Sequence, residues 1–254
     1  ENGLQSSGRI LKVGGSVYEA FMVQYAGVNH ETGQAQWYQD VYYNADGKKV
    51  ESAKAADYAY TKKELTTDIT KATQYDCGTT LPTIFGGFGT SVAAYGFDLS
   101  AQFSYQLGGK IYDGQYQALM HNGTSQGSAM HKDLLNAWSE TNKNSDIPRL
   151  SQAAADDPGI GSQTTQDRFL TSSNYLCLNN LTLGYTFPKA LIRPLELTNL
   201  RIYVAGENIF MLTKRKGLDP RFNYGIGSMT AGSGLAAGGY TALRSITAGI
   251  SLTF

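Results

Sequence analysis

The chain has 254 residues, zero formal net charge and 17% charged side chains, against the roughly 25% usual in a soluble domain. That length suits one large domain or two modest ones, and the balanced charge excludes a nucleic-acid surface, which needs a clustered basic face. Twenty-nine glycines and 17 tyrosines against 6 prolines favour strands and turns over helices, and no run reaches the roughly 18 apolar residues of a membrane-spanning helix.

The opening stretch ENGLQSSGRILKVGG has neither a basic n-region nor an apolar h-region, as expected of a cytoplasmic chain, a mature secreted chain or a fragment. RILKV reads as the end of a strand, and VGGS (13–16) as a short turn. SVYEAFMVQYAGV (16–28) is strand-like, with mixed faces. Residues 29–80 follow as a long polar connection rich in Lys, Asp and Thr. LPTIFGGFGTSVAA (81–94) then puts Ile84, Phe88, Val92 and Ala94 on one parity, and YGFD (95–98) turns the chain tightly. In FDLSAQFSYQLGG (97–109), Phe97, Leu99, Ala101, Phe103, Tyr105 and Leu107 share a parity opposite Asp98, Ser100, Gln102, Ser104 and Gln106. A period of two over that length predicts one long strand with an apolar and a polar face.

Residues 109–172 form a second long connection, with a helix predicted at MHKDLLNAWSE. YLCLNNLTLGYTFP (175–188) keeps Leu181, Leu183, Tyr185 and Phe187 together. A short Pro-marked link (188–199) leads to RIYVAGENIFML (201–212), which faces Ile202, Val204, Phe210 and Leu212 one way and Arg201 and Glu207 the other. Those charges are very costly toward lipid and acceptable toward a wet lumen. A Gly-rich connection (213–240) precedes the last strand, with Ile246, Ala248, Ile250, Leu252 and Phe254 expected to face lipid and Ser245, Thr247, Ser251 and Thr253 the lumen. About seven strands, some near the roughly 9–11 residues that cross a bilayer, alternate short and long connections. That is the signature of an all-β, antiparallel up-and-down transmembrane barrel with short periplasmic turns and long extracellular loops. The scheme runs the last strand downward, with Phe254 at the periplasmic rim.

The strings LPTIFGGFGTSVAAYGFDLSAQFSYQLGGKIYDG, NSDIPRL, SSNYLCLNNLTLGYTFPKALI, LRIYVAGENIFMLTKRKGLDP and SITAGISLTF, in this order and spacing, resemble the C-terminal part of SusC-type (SusC/RagA-like) TonB-dependent outer-membrane transporters. The resemblance spans nearly the whole chain. It implies the C-terminal portion of a plugged barrel of about 22 strands, with the plug, the TonB box and the N-terminal barrel absent from these 254 residues. It implies no enzyme and no cofactor, but import of oligosaccharides or peptides. The implied partners are a SusD-like surface lipoprotein lid, the N-terminal remainder of the transporter, the TonB–ExbB–ExbD complex acting through that remainder, and outer-membrane lipid. Cys177 departs from the pattern, standing where many relatives carry a charged or polar residue. The terminal aromatic residue also resembles the signal read by barrel-assembly machinery.

Other motifs read more plainly. GTSQG (123–127) matches G-x-S-x-G, but a nucleophile elbow needs a strand before it and a helix after it; an extracellular Gly/Ser loop explains it better. His30, His121 and His131 lack metal-ligand spacing, and NADGKK carries one carboxylate where a calcium loop alternates several. Cys77 and Cys177 have no CxxC spacing. The NGT and NLT sequons (122–124 and 180–182) read as chance. Trp37, Tyr38, Tyr112, Tyr116 and Trp138 are candidate substrate contacts, since flat rings with polar edges stack on sugars or peptide side chains; an interfacial aromatic girdle is the competing reading. The basic run TKRKG (213–217) is a candidate contact for lipopolysaccharide or the lid. Three other functions stay open: a secreted carbohydrate-binding module, a passive porin and an outer-membrane enzyme. About seven strands do not close a barrel of about 22, so a first strand supplied by an N-terminal remainder is expected beside the last.

Overall fold

The computed structural model describes residues 3–6, 8–51, 58–125, 127–151, 165–214, 218–222 and 242–254. Two compact units are present: the described residues within 1–80 and 111–170 form one, and those within 81–110, 171–223 and 239–254 the other.

In the first unit, strands β1 (Leu4–Ser6), β2 (Arg9–Leu11), β3 (Glu19–Val23) and β8 (Gln74–Thr79) make a four-stranded sheet. A second sheet holds β4 (Tyr25–Val28), β5 (Ala35–Tyr43), β6 (Lys49–Val50) and β7 (Tyr60–Thr66). The stretch expected as one strand over 16–28 is therefore two, because the chain changes sheet at Gln24. β3 pairs with β8 and β4 with β5, and this switch explains the mixed faces. The long connection after residue 28 holds its own β5–β7 pairing, with Trp37 opposite Thr66 and Tyr43 opposite Tyr60. Two buried clusters result. One joins Ala20, Met22, Cys77, Tyr112, Met120, Leu134 and Phe169, and the other joins Val23, Ala35, Trp37 and Ile69.

In the second unit, β9 (Ile84–Ala94), β10 (Phe97–Leu107), β13 (Tyr175–Thr186), β14 (Asn199–Thr213) and β15 (Ser245–Thr253) form an antiparallel up-and-down sheet. β11 (Lys110–Tyr112) and β12 (Leu170–Ser172) form a separate two-stranded ladder. Helix α1 (Gly114–Leu119), which belongs to the first unit, starts at Asp113, whose carboxylate accepts the Tyr116 backbone N–H. Helix α2 (Lys189–Ile192) lies in the link between β13 and β14. The helix expected at residues 130–140 is only one 3-10 turn, Lys132–Asn136. Its continuation is broken because Trp138 donates its backbone N–H to Ile147 instead.

The β9–β10 hairpin turns on Tyr95 and Gly96, both at positive φ, which matches the right-handed twist of the flanking strands. The register then lines up apolar rows across the five strands. One row runs Ile250, Ile202, Tyr185, Phe97, Ala94; the next runs Ala248, Val204, Leu183, Leu99, Val92. Most of these large side chains are exposed, with Ile250 at 69% and Val92 at 60%. An apolar face this broad is far beyond the patches that water-soluble monomers leave bare, which argues against the secreted binding module.

The pattern passes an irregularity that sequence periodicity misses. β13 holds one extra residue, Asn179, between Leu178 and Asn180. β14 holds two, Asn208 and Ile209, at the same level. One extra residue reverses parity, so Leu176 and Leu178 share a face with Leu181, Leu183 and Tyr185. Two extra residues restore it, so Ile202, Val204, Phe210 and Leu212 stay on one face as expected. Bulges of this kind re-aim side chains without ending the ladder.

On the opposite face, Arg201 grips Asp98 in a two-pronged ion pair, at 3.0 Å and 2.6 Å. The pair passes over Gly184: a Cβ there would lie 2.5 Å from both Arg201 Nη2 and Asp98 Oδ1. A Gly184→Ala substitution in the full-length protein is expected to open this pair. The temperature at which the folded band converts on a heat-modifiability gel should then fall by several degrees; an unchanged temperature would show that the pair adds nothing.

Candidate functional site

The structure gathers three of the five predicted aromatic contacts around one short turn, Gln166–Phe169. Trp37, only 1% exposed, donates its indole N–H to Gln166 Oε1 at 3.2 Å. Asp167 Oδ1 accepts the backbone N–H of Tyr25 at 2.8 Å, and the Tyr25 ring stands edge-on to Trp37. The Arg168 guanidinium lies over the rings of Tyr25 and Phe169, at 5.0 Å and 5.4 Å. Phe169 packs edge-on against both Tyr112 and Tyr116. The Tyr112 hydroxyl donates to Gln117 and the Tyr116 hydroxyl to Asp133. Trp37 and Tyr112 thus serve as buried core rings, while Tyr116 stays half-buried.

Tyr38 and Trp138 lie apart from this turn. Lys63 sits over the Tyr38 ring at 4.7 Å and over Tyr75 at 3.9 Å. Trp138 rests against Gly33, where a Cβ would meet the indole at 2.4 Å, and donates its N–H to the His30 carbonyl at 3.0 Å. That contact fastens the 29–34 turn, together with Arg149, whose backbone N–H reaches the Gly33 carbonyl. Nearby, Glu64 accepts the Tyr43 hydroxyl and pairs with Lys49 at 2.9 Å. These two bonds hold the Glu64 carboxyl below its usual range.

GTSQG does not form an elbow. His121, buried, accepts the backbone N–H groups of Gly123 and Ser125 on Nδ1, so the imidazole braces a turn; Gln126 lies outside the described residues. Both cysteines are buried, and the Cys77 thiol donates to the Tyr75 carbonyl at 3.3 Å. Among the described residues, no group of three His, Cys, Asp or Glu is placed to hold a metal.

In the sheet unit, the paired bulges build a polar socket. Asp219, 3% exposed, holds Arg221 at 3.0 Å and 2.7 Å. Arg221 Nη1 also donates to Asn208 Oδ1 at 3.0 Å, to Asn179 Oδ1 at 3.4 Å and to Cys177 Sγ at 3.4 Å. Asn179 accepts the Ser104 hydroxyl at 3.1 Å. Cys177, the departure from the family pattern, therefore lies beside a cation as a weak acceptor. The socket borders a cavity of about 460 Å³ that Phe210, Leu212 and Arg244 also line. The sequence signal for it was GLDPR, an acid and a base flanking a proline, with no periodicity to mark its target. Most of the basic run 213–217 lies outside the described residues.

No protein-family model matches the chain. TonB-dependent receptor P3 of Formosa agariphila is 29% identical over 191 residues, which cover 74% of this chain and 18% of the receptor. Receptor P26 of the same organism is 23% identical over 181 residues, 70% of this chain and 17% of the receptor. The RagAB peptide transporter structure aligns with 99% of this chain and 24% of its own at 27% identity, with a TM-score of 0.67. The chain is thus similar to a stretch of barrel wall in TonB-dependent receptors.

The chain spans less than a fifth of the length of the curated relatives it matches. Among solved structures, it also aligns with the RagAB importer in its "open-open" state, with a TM-score of 0.61. The relatives are named as receptors and transporters.

Two predictions follow from the geometry. An Arg221→Met substitution leaves the buried Asp219 carboxylate without its ion partner. Breaking a buried pair costs about 3–5 kcal/mol; Arg221 keeps 18% exposure, which places the loss toward the lower end. Limited proteolysis should cut at residues 218–222 several-fold faster. For Tyr25, burial raises the hydroxyl pKa from 10.0 to about 12. The folded state therefore holds its proton longer than the unfolded chain. Its contribution is complete below pH 10 and is lost as pH rises through about 12, by roughly 2–3 kcal/mol. Alkaline unfolding of a Tyr25→Phe variant should lack this component in phenolate absorbance.

Proposed function

We propose that this chain is the C-terminal barrel portion of a TonB-dependent importer of the bacterial outer membrane, working with a SusD-like lipoprotein lid. In this reading, residues 1–254 supply the last strands and the outer connections near 29–80, 109–172 and 213–240. The plug and the remaining wall come from the N-terminal remainder, through which TonB–ExbB–ExbD acts. Ile246, Ala248, Ile250, Leu252 and Phe254 face outer-membrane lipid, and the Asp98–Arg201 face lines the lumen.

The observation that carries this reading is the alignment of nearly the whole chain with the RagAB transporter. The continuous exposed apolar face supports it independently. RagAB is described as a peptide importer; a peptide or an oligosaccharide is the cargo proposed here. Tyr38, Tyr116 and Trp138, the predicted rings that are not fully buried, are the proposed substrate contacts. Trp37 and Tyr112, both buried, hold the Gln166–Phe169 turn against which Tyr116 packs.

No bond of the substrate changes in this mechanism. The barrel wall and loops hold the cargo under the lid, and force on the plug opens the passage. Deleting TonB is expected to abolish uptake of the cognate cargo while leaving the barrel folded and heat-modifiable. Uptake that persists without TonB would establish a passive porin instead. Deleting the lid gene should reduce uptake at low cargo concentration.

A further inference from the structure

We propose that Arg168 is an anion-recognition point that receives a carboxylate of the imported substrate. The inference rests on the import reading above and deepens it by naming a chemical feature of the cargo. The argument starts from what surrounds the guanidinium. Two rings, Tyr25 and Phe169, attract the cation and displace water from it. A ring offers no acceptor to in-plane N–H groups, and a guanidinium carries five such donors in a fixed fork.

Two of the acids nearby are committed elsewhere, and a third, Asp146, acts on the Tyr25 hydroxyl. Asp167, the sequence neighbour, accepts the Tyr25 backbone N–H, and Asp133 accepts the Tyr116 hydroxyl. Among the described residues, no acid forms an ion pair with Arg168; the titratable groups that act on it are the phenols of Tyr25 and Tyr116. The residue is only part-buried, and among the described residues its nitrogens make no hydrogen bond. Burial pulls its pKa below the ordinary arginine value, so the cation is held in a setting that an approaching anion would relieve.

A planar carboxylate fits this donor edge two-pronged, as arginine forks do elsewhere. Among the described residues no second cation lies over these two rings, and a single guanidinium matches one negative charge better than a phosphate dianion. Tyr116, packed 5.9 Å from Phe169, offers a flat face to the body of the same ligand. A peptide C-terminus and a uronic acid share this chemistry.

The test uses the full-length transporter with its lid in outer-membrane vesicles. Its probes are a fluorescent tetra-alanine peptide and its C-terminal amide, and trigalacturonate and its methyl ester. Wild type should prefer the acid in one of the two pairs, and that pair names the source. Arg168→Gln should weaken binding of that acid about tenfold, the scale of a lost charge-assisted hydrogen bond, with no change for its neutral partner. Arg168→Lys should recover part of the loss. Heat-modifiable migration of both variants should match wild type. Equal wild-type affinity for acid and neutral forms in both pairs would overturn the proposal. So would an Arg168→Gln loss shared equally by acid and neutral probes, which would make Arg168 a packing residue. Acid preference with TonB-independent uptake would overturn the import reading and leave the Arg168 site standing.

Discussion

The sheet depends on register. Every long strand carries apolar side chains on alternate positions, and a slip of one residue would turn its whole apolar set to the polar side. In an apolar surrounding each backbone N–H and C=O must also be paired within the protein, because an unpaired group costs several kcal/mol. The five-stranded ladder meets both demands. It matches Ile250 with Ile202, Tyr185 and Phe97 across four strands while keeping the hydrogen bonds continuous on either side of the bulges. Aromatic pairs on the same face, such as Phe88 stacked on Phe103 at 4.8 Å, fix that register further.

The bulges are where register and polar chemistry meet. Inserting one residue in β13 and two in β14 keeps the apolar rows intact above and below. The inserted asparagines then turn their amides toward Arg221. Asn208 takes a positive φ of 51° to do so, a conformation asparagine tolerates better than most residues. The segment 218–222 is thereby fastened to the polar face through a buried Asp219–Arg221 pair. Asp98 and Arg201 make a second tie on that face, possible only because Gly184 has no side chain beneath it.

The other unit solves a different problem. Its chain is polar and connection-rich, so its order comes from a few well-placed rings and the Gln166–Phe169 turn. Each of the four residues in that turn meets a different need: an acceptor for Trp37, an acceptor for the Tyr25 backbone, a cation over two rings, and an apolar wedge between Tyr112 and Tyr116. The arrangement leaves one group, the Arg168 donor edge, without an ion partner among the described residues.

The antiparallel up-and-down sheet, the long strands, the tight turn at Tyr95–Gly96 and the shared apolar face of Ile202, Val204, Phe210 and Leu212 were all legible in the sequence. A period of two is local, and each residue reports its own face. The split of the 16–28 stretch between two sheets, the parity reversal at Asn179 and the short 3-10 turn in place of a helix at 130–140 were not legible. Each is decided by a partner strand or a backbone acceptor distant in the chain. The aromatic residues show the same division. Their presence in the connections was plain, but burial of Trp37 and Tyr112 against the exposure left to Tyr116 and Trp138 depends on residues some 30 to 130 positions away. Sequence alone determined which faces are apolar and how long the strands run, because alternation follows from backbone geometry. Only the tertiary structure decided which charges meet, as with Asp98 and Arg201 or Asp219, Arg221 and Asn179. An ion pair needs two groups at one point in space, and spacing along the chain does not encode that point.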